Sequence, residues 1–344
     1  MNILVTGGAG YIGSETVRAL LRQQHRVTVL DSLEYGTAAS LAVEAGLPPE
    51  LVVGNILDRP LLDNLFKTHQ IEAVIHFAAY KRGSESVRQP ARYFLNNTAG
   101  TFNLLEAMVA HGIPNFIFSS SGSIFGNPAE LPVSESTPAS PENPYGLSKL
   151  LVEQALPWYE QAHGLKSISL RYFNAAGASP DGRYGEDWNL SHNLIPQVLK
   201  VALGKAPSFS VFGTDYPTRD GTAVRDFIHV SDLAEAHLKA LEYLFKTGRS
   251  TVFNLGTGQG NTVREVIQAV KQLTGSDFRV YEQPRRPGEA AAIWADNQKA
   301  RRELDWQPRY TLEDMVRHAL QAANASIMPP AASSSSPASR ATDG

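Results

Sequence analysis

The sequence contains no cysteine, and its 344 residues carry a formal net charge of only −3. The absence of cysteine excludes a disulfide framework, a thiol nucleophile and a thiolate metal site. Because the chain has no excess of basic residues, nucleic acid and anionic membranes are poor partners. No apolar run is long enough to span a membrane. We therefore expect neither a nucleic-acid nor a membrane partner.

Signals for metal binding and for export are also missing. The nine histidines show no HExxH or similar spacing, so we expect no metal site. The opening residues, MNILVT, lack the charged-then-apolar layout of a secretory signal, so we expect a cytoplasmic protein. A composition of 42% hydrophobic and 19% charged residues is typical of one large or two modest globular domains.

A glycine-rich stretch near the start carries the first functional signal. Residues 3–6 read as a short buried strand, residues 7–13 read GGAGYIG, and apolar residues then recur with helical spacing. A strand, a glycine turn and a helix N-terminus form a pyrophosphate site, because glycine lets the backbone approach phosphate and free N–H groups face it. The predicted cofactor contacts in this stretch are Gly7, Gly10, Tyr11, Ile12 and Gly13.

A second predicted strand, at residues 27–30, ends at Asp31. This carboxylate follows the glycines at about the spacing, roughly 20 residues, of an acid that binds the ribose 2′-hydroxyl. Asp31 would repel a 2′-phosphate, and Ser32 offers no arginine to receive one. We therefore predict NAD rather than NADP, with Asp31 and Ser32 among its contacts.

The alternation of strand and helix patterns continues along the chain. Further strands are predicted near residues 51–56, 73–79, 115–118 and 167–170, with the clearest helix at 91–108. This pattern predicts an α/β fold, a doubly wound parallel sheet of the Rossmann type that binds ligands at the carboxyl ends of its strands. Five residues fall at or just beyond such ends and should surround one crevice: Asp31, Asn55, Phe77, Ser121 and Phe173.

The composition of the sequence changes after Asn174. Residues 177–193 are rich in Gly, Pro, Asp and aromatic residues, which is typical of a binding loop. We predict a dinucleotide-binding domain over residues 1–175, to which segments around 226–256 return, and a smaller, mainly substrate-binding domain over 176–327. The Pro-, Ala- and Ser-rich residues 328–344 are predicted to be a disordered tail.

A helix start past mid-chain suggests a catalytic pair. Asn143 and Pro144 are suited to the N-cap and first position, which places Tyr145 and Lys149 one turn apart on one face. The alternative is a surface tyrosine above a lysine, because YxxxK alone is a weak signal. A phenol with a pKa near 10 needs roughly 4 kcal/mol of help to act as a base near neutrality. One ammonium about 4 Å away supplies roughly that much, but desolvation opposes it, so lysine alone is marginal. We expect a phenol made acidic by neighbouring positive charge only when a nicotinamide cation adds to that of Lys149.

Together these motifs resemble the extended short-chain dehydrogenases/reductases, and most closely the UDP-glucose 4-epimerase family. The resemblance covers nearly all of the chain except the tail. The matching segments are TGGAGYIG at 6–13, HFAA at 76–79, SSS at 119–121, YGLSK at 145–149, RYFN at 171–174, DYPT at 215–218, DGTAVRDFIHV at 220–230 and WAD at 294–296. Residues 215–230 carry the more specific part of the match.

The resemblance implies reversible epimerisation of UDP-galactose and UDP-glucose at C4, through a 4-keto intermediate with bound NAD. Tyr145 would then be the base and acid on the 4-hydroxyl, Ser121 its hydrogen-bonding partner, and Lys149 the holder of the nicotinamide ribose. Further implied cofactor contacts are Asn55, Ile56, Phe77, Ala78, Lys81, Asn96 and Phe173. Implied contacts to the UDP-hexose are Asn174, Asn193, Leu194, Phe212, Arg225, Arg286, Glu289 and Ile293.

Several departures from the family pattern leave alternatives open. Asn55 stands where many relatives have aspartate, so we expect altered cofactor affinity without loss of binding. Ile293 is intermediate in bulk at a position that gates the hexose pocket, which leaves an N-acetylhexosamine substrate open. Asn174 disfavours the uronate 4-epimerases, which usually have threonine there. Gly122 and Ser123 replace the carboxylates of the dehydratases and decarboxylases.

A non-catalytic NAD-binding sensor on the same fold is the alternative from a different functional class. Such proteins typically lack the tyrosine or the lysine, whereas Tyr145 and Lys149 are both present. Relatives commonly form homodimers through a helix bundle. The apolar faces over residues 91–110 and 147–156 would suit such a bundle.

Overall fold

The structure is a computed structural model that describes residues 1–43, 48–286 and 290–325. Its strands are β1 (Asn2–Thr6), β2 (Arg26–Asp31), β3 (Glu50–Val53), β4 (Ala73–His76), β5 (Asn115–Ser119), β6 (Lys166–Tyr172), β7 (Asn174–Ala176), β8 (Phe209–Phe212), β9 (Val224–Arg225), β10 (Phe227–His229), β11 (Thr251–Leu255), β12 (Asn261–Thr262), β13 (Val280–Gln283) and β14 (Ala292–Ile293). Its α-helices are α1 (Tyr11–Arg22), α2 (Arg59–His69), α3 (Gly83–Arg88), α4 (Pro90–Tyr93), α5 (Gly100–Ala110), α6 (Pro144–His163), α7 (Leu194–Ala202), α8 (Val230–Thr247), α9 (Val263–Thr274), α10 (Gln298–Leu304) and α11 (Leu312–Ala325).

Seven of the strands form one sheet in the order β3-β2-β1-β4-β5-β6-β11. Every neighbouring pair in it is parallel. The chain starts at β1, moves outward to β3, and then crosses to build the other half of the sheet. This arrangement confirms the predicted doubly wound α/β fold, in which the strand order reverses beside β1 and opens a crevice for ligands.

Both faces of the sheet are covered by helices, which explains why its strands are apolar without alternation. In β1, Ile3 and Val5 belong to the core formed with α1 and α8, while Leu4 faces the core formed with α2, α5 and α6. All three side chains are fully buried. A strand buried on both faces fixes the sheet firmly and therefore holds the loops at its carboxyl edge in place.

The C-terminal part has its own core. Helices α7, α9 and α11 pack together around buried side chains that include Val198, Val270 and Val316. Short sheets flank them: β8 pairs with β13, and β9 lies between β12 and β14. This smaller C-terminal unit was predicted as part of the fold class. The segment at β11 instead joins the edge of the large sheet by pairing with β6.

Some predicted boundaries are wrong. The fourth strand ends at His76, not at residue 79, because Phe77 and Ala78 both donate their N–H groups to the carbonyl of Thr6 and the chain bends there. Asn55 and Ile56 lie beyond β3. A π-helical turn, Phe94–Ala99, interrupts the predicted helix at 91–108.

Within the described residues, no helix combines the length and the apolar character required to span a membrane. The predicted tail at 328–344 lies outside the described residues. So does Glu289, one of the predicted substrate contacts.

Candidate active site

A cleft of about 1090 Å³ opens at the carboxyl ends of the large sheet. Ligand pockets usually measure about 300–1,000 Å³, so this cleft has room for more than one small molecule. The predicted cofactor contacts that line it are Gly7, Gly10, Tyr11, Ile12, Gly13, Asp31, Ser32, Asn55, Ile56, Phe77, Ala78, Lys81, Asn96 and Phe173. The structure therefore brings that whole set to one place, including Asp31, Asn55, Phe77 and Phe173, which the strand pattern predicts around one crevice.

The glycine turn leaves no room for side chains. A Cβ atom on Gly7, whose φ is +72°, would lie 2.6 Å from the backbone nitrogen of Ala78, and one on Gly13 would lie 2.3 Å from the carbonyl oxygen of Gly7. Helix α1 begins immediately afterwards at Tyr11, and no side chain caps its first turn. Its first N–H groups are therefore available to an anionic ligand, and the helix dipole favours one. These features fit a dinucleotide pyrophosphate.

Asp31 is held at the end of β2 by two backbone donors. Its Oδ2 accepts from the N–H of Ala9 at 2.9 Å, and its Oδ1 accepts from the N–H of Leu33 at 2.9 Å. Each carboxylate oxygen has a second lone pair, and both point from a fixed group that is largely buried. This geometry fits the paired hydroxyls of a ribose and, with the glycine turn, supports NAD as the ligand.

Helix α6 begins as the sequence predicts. The Oδ1 atom of Asn143 caps it by accepting from the N–H of Gly146 at 2.9 Å, and Pro144 occupies the first turn. The N–H of Tyr145 donates to Ser86 Oγ at 3.1 Å. These contacts fix the first turn, so the side chains of Tyr145 and Lys149 both line the cleft one turn apart.

Lys149 is buried and partly neutral. Its ammonium donates to the carbonyl oxygen of Ser119 at 2.8 Å and lies 4.9 Å from the centre of the Phe118 ring. Burial lowers the pKa of Lys149 to about 7, while the nearby carboxylate of Glu153 raises it. Near neutral pH this lysine therefore changes its charge readily, which an exposed lysine would not do.

The residues of the chain do not by themselves make the Tyr145 phenol acidic. Burial raises the pKa of Tyr145 above its ordinary value of 10, and a hydrogen bond with Ser121 only partly opposes that rise. Burial penalises the phenolate and also lowers the pKa of Lys149 to about 7, so the positive charge beside the phenol is incomplete. The residues of the chain alone keep the phenol protonated at neutral pH.

Residues 119–121, at the end of β5, connect the catalytic candidates. The carbonyl oxygen of Ser119 accepts from the ammonium of Lys149, and its hydroxyl hydrogen-bonds the hydroxyl of Tyr172. The hydroxyl of Ser120 donates to Glu153, which also accepts from Arg171 Nε at 3.0 Å. The side chain of Ser121 hydrogen-bonds Tyr145. One strand end therefore sets the relative positions of the phenol, the ammonium and a buried ion pair.

Glu153 and Arg171 were not predicted as site residues. Both side chains are at least nine-tenths buried, and Arg171 forms its ion pair from β6. A sequence signal for Glu153 does exist, because it follows Lys149 by one helical turn. Glu186, on the loop after β7, was also missed. Its carboxylate accepts from Asn193 and Lys81, and nothing local in the sequence indicates this.

The predicted substrate contacts divide into two groups. Asn174 and Asn193 line the cleft, and Leu194 follows as the first residue of α7. Phe212, Arg225, Arg286 and Ile293 do not line it as far as the described residues define its wall. They form two pairs: the guanidinium of Arg286 lies 3.9 Å from the centre of the Phe212 ring, and Arg225 pairs with Ile293 between β9 and β14.

The buried histidine of β4 has a structural role. His76 Nε2 lies 2.8 Å from Thr101 Oγ1, and Nδ1 lies 2.5 Å from Thr6 Oγ1. Burial and the charge of Lys149 lower its pKa to about 3, so it stays neutral. Among the described residues, no three His, Asp or Glu side chains are grouped to hold a metal ion.

Residues 3–256 match the model of the NAD dependent epimerase/dehydratase family. The chain belongs to this family. The matched residues include the glycine turn, Asp31 and α6, and the description of the family names NAD.

Individual family members are similar over almost the whole chain. A UDP-glucose 4-epimerase of Halalkalibacterium halodurans is 48% identical over 320 residues, which cover 93% of this chain and 94% of that protein. A Bacillus subtilis UDP-glucose 4-epimerase is 46% identical, covering 92% and 94%. The crystal structure of UDP-glucose-4-epimerase from Stenotrophomonas maltophila, with bound NAD and formylated UDP-arabinopyranose, has a TM-score of 0.92 at 43% identity, covering 95% and 99%. These similarities confirm the resemblance that the motifs indicate.

Proposed function

We propose that the protein is an NAD-dependent UDP-glucose 4-epimerase that interconverts UDP-galactose and UDP-glucose. The observation that carries this proposal is a single cleft lined both by the glycine turn with Asp31 and by Ser121, Tyr145 and Lys149. A dinucleotide site with no acid–base group beside it would support binding alone. The family and its UDP-glucose 4-epimerase members specify the reaction.

The chain's own residues hold and move the proton. NAD+, held by the glycine turn and Asp31, would supply a reversible hydride acceptor for C4 and would add one positive charge to the site. Tyr145 removes the proton of the 4-hydroxyl and later gives it back. Ser121 orients the phenol and the reacting oxygen, and Lys149 binds a ribose hydroxyl. Because burial keeps Tyr145 protonated in the chain alone, proton removal is confined to the complex in which further positive charge is present.

Inversion at C4 requires the sugar to rotate within the site while the nucleotide stays bound in place. We assign the grip on UDP to Asn174 and Asn193 in the cleft, with Arg225 and Arg286 as the phosphate contacts. Asn174 donates from Nδ2 to the carbonyl of Asp226 at 3.3 Å, which orients its amide. Arginine is suited to diphosphate because its planar fork makes paired hydrogen bonds.

The domain division follows from the same assignment. Residues 1–175, with β11 at the sheet edge, would form the dinucleotide-binding part, and most of 176–327 would form the UDP-sugar part. We also place the enzyme in the cytoplasm, where its two nucleotide ligands are made and used. Fractionation of cells with an antibody to the chain tests that location.

The direct test is to incubate the purified protein with UDP-galactose, without added NAD, and to look for UDP-glucose. Product is expected, because the reaction consumes no net cofactor and a deep cleft retains it. A protein that binds NAD but converts neither UDP-hexose would contradict the proposal and support the sensor instead. Comparing UDP-N-acetylgalactosamine with UDP-galactose in the same assay tests whether Ile293 restricts the substrate to simple hexoses.

We also propose a homodimer through the outer face of α6 and the adjoining helical turn. Leu147, Leu151 and Trp158 lie on one stripe of α6 and are 37%, 36% and 70% exposed, and nearby Leu95 is 58% exposed. A stripe of this kind on two adjacent helices is suited to packing against its own copy. Light scattering should give twice the chain mass, and Leu151→Glu with Trp158→Glu should halve it. A monomeric wild type would contradict this proposal.

A further inference from the structure

The loop over residues 177–193 is fastened to the dinucleotide side of the cleft at several points. The hydroxyl of Tyr11 donates to the carbonyl of Gly177 at 2.7 Å. Near the other end of the loop, Arg82 donates to the carbonyl of Leu190 at 2.9 Å. The loop therefore crosses from the helix that begins beside the glycine turn to α7, which carries the predicted nucleotide-sugar contacts.

Glu186 is the acidic residue of this loop that faces inward. Its side chain is 10% exposed. One carboxylate oxygen lies 2.8 Å and the other 3.0 Å from Asn193 Nδ2. The ammonium of Lys81 lies 3.4 Å from the first oxygen. The same carboxylate is close enough to Tyr11 to raise the pKa of that buried phenol, after the larger effect of burial.

These contacts have a chemical consequence for Asn193. A carboxylate can only accept hydrogen bonds, so it fixes the amide with Nδ2 toward Glu186. The orientation of the amide, and therefore which of its groups meets a nucleotide, is set by Glu186. The contact to Lys81 is of a different kind, because it joins the loop to a full positive charge on the segment after β4, which also lines the cleft.

Glu186 thus has one partner from each predicted ligand set: Lys81 among the cofactor contacts and Asn193 among the substrate contacts. We propose that Glu186 is a positioning residue that couples the grip on the nucleotide sugar to the retention of the dinucleotide. It holds Asn193 in its binding orientation and ties the loop to Lys81. This inference rests on the proposed function, since it assigns a further residue to the same reaction.

An ordinary structural ion pair is the alternative. Lys81 is 55% exposed, and pairs in such positions contribute little to folding. The two roles predict different measurements, because a structural pair affects thermal unfolding and a positioning residue affects ligand affinity. Coupling also has a signature of its own: if two sites are linked, each ligand must tighten the other by the same factor.

The experiment compares wild type with Glu186→Ala, Glu186→Gln and Lys81→Met. It measures the KM and kcat for UDP-galactose, and the rate of NAD loss on dilution with and without UDP. Glu186→Ala should raise the KM for UDP-galactose by about tenfold or more, the effect of losing one charged hydrogen-bonding partner, with kcat within about threefold. UDP should slow NAD loss in wild type but no longer do so in Glu186→Ala.

The amide variant separates the two contacts. Glu186→Gln keeps an oxygen that accepts from Asn193 but cannot balance the charge of Lys81, so its KM should stay near the wild-type value while the coupling is lost. Lys81→Met should lose the coupling in the same way. Glu160→Gln is the matched control, since Glu160 pairs with Lys166 at 2.6 Å far from the cleft. It should leave the KM and the coupling unchanged.

Two outcomes would overturn the inference. One is a Glu186→Ala protein with unchanged KM and unchanged protection of NAD by UDP, whatever its melting temperature. The other is wild type in which UDP has no effect on NAD loss. Failure of the proposed function is distinct, because it would appear as wild-type protein that makes no UDP-glucose at all.

Discussion

The two ends of the cleft hold their ligands by different means. At the dinucleotide end the chain offers backbone, where the seven-stranded sheet fixes Gly7 against Ala78 and Gly13 against Gly7. Toward the sugar nucleotide the candidates are side chains on short strands or in the segments beside them, such as Arg286, which stacks on Phe212 of β8 beyond the described residues that line the cleft. NAD binding at the dinucleotide end should weaken strongly when a single atom is added to the glycine turn. The sugar-nucleotide end should tolerate added atoms but depend on the shape of its side chains.

The largest effect is expected where the two ends meet. Tyr145→Phe removes one hydroxyl from the cleft and leaves both binding ends intact. Turnover of UDP-galactose should fall by about 10³-fold, within the usual range for loss of a general acid–base group. NAD content and UDP affinity should stay within about twofold.

Steady-state rates and calorimetric titration with UDP check this prediction together. Substantial turnover in the phenylalanine variant would show that another group moves the proton. A parallel loss of NAD would show that the phenol also helps to hold the cofactor.

Adding a methyl group at the dinucleotide end should have the next largest effect. In Gly13→Ala the new Cβ would lie 2.3 Å from the Gly7 carbonyl oxygen, so the turn must open and its N–H groups move. NAD released from the purified protein should fall by about tenfold or more. Gly83→Ala is the control, because its Cβ would make only ordinary contacts, at 3.4 Å or more.

Both glycine variants should keep the circular dichroism spectrum of the wild type. Normal NAD content in Gly13→Ala would contradict the view that this end admits no added atom.

Changing shape but not charge should affect the sugar-nucleotide end. Arg286→Lys keeps the positive charge but loses the planar group that stacks on Phe212. The KM for UDP-galactose should rise by about fivefold to tenfold, with kcat and NAD content unchanged. Arg264→Lys is the control, since Arg264 forms an exposed ion pair with Glu282. An unchanged KM in Arg286→Lys would mean that Arg286 contributes charge alone, and the contrast between the two ends would weaken.

The smallest effect concerns pH. Glu153 raises the pKa of Lys149 against burial, so Glu153→Gln should lower that pKa below about 7. Lys149 then loses its proton at lower pH, and the alkaline limb of the kcat profile should move to lower pH. Rates at neutral pH should fall by only about threefold. A profile whose alkaline limb stays in place would separate Lys149 from the rate-limiting proton transfer.

The free energy of unfolding should also depend on pH, but it should rise at alkaline pH, where the rate falls. The unfolded lysine titrates near 10.4 and the folded one at about 7, so between these values the unfolded state binds the extra proton. The free energy of unfolding due to this group therefore rises with pH from about 7 to about 10 and is lost as pH falls through 7. In Glu153→Gln the lower end of this window should move to lower pH, which chemical denaturation at several pH values can measure.

The same contrast explains what could be predicted from sequence. At the dinucleotide end, the strand and helix periods place Gly7, Asp31 and Tyr145 with little freedom, because parallel strands bring their carboxyl ends together. The N-cap residue of α6, Asn143, could also be predicted from local sequence preferences. These features depend on short stretches of chain.

Other features depend on contacts between distant segments. The π-helical turn at Phe94–Ala99 accompanies Asn97, whose side chain bonds the N–H and the carbonyl of Tyr80 at 2.9 Å. Glu186 meets Lys81 across 105 positions of sequence, and no periodicity records such a meeting. The size of the burial effect on the pKa of Tyr145 could not be predicted from sequence, because the depth of burial is a property of the folded molecule.

The strand end at residues 119–121 has a consequence for how this chain can change. The adjacent residues Ser119, Ser120 and Ser121 contact different partners. Inserting or deleting one residue there would therefore place the wrong serine opposite each partner. Substitutions can alter one contact at a time, but a change of length would reassign all of them at once. We expect length variation in this family to be confined to peripheral connections such as the exposed turn after α8, and to spare the point where β5 meets the cleft.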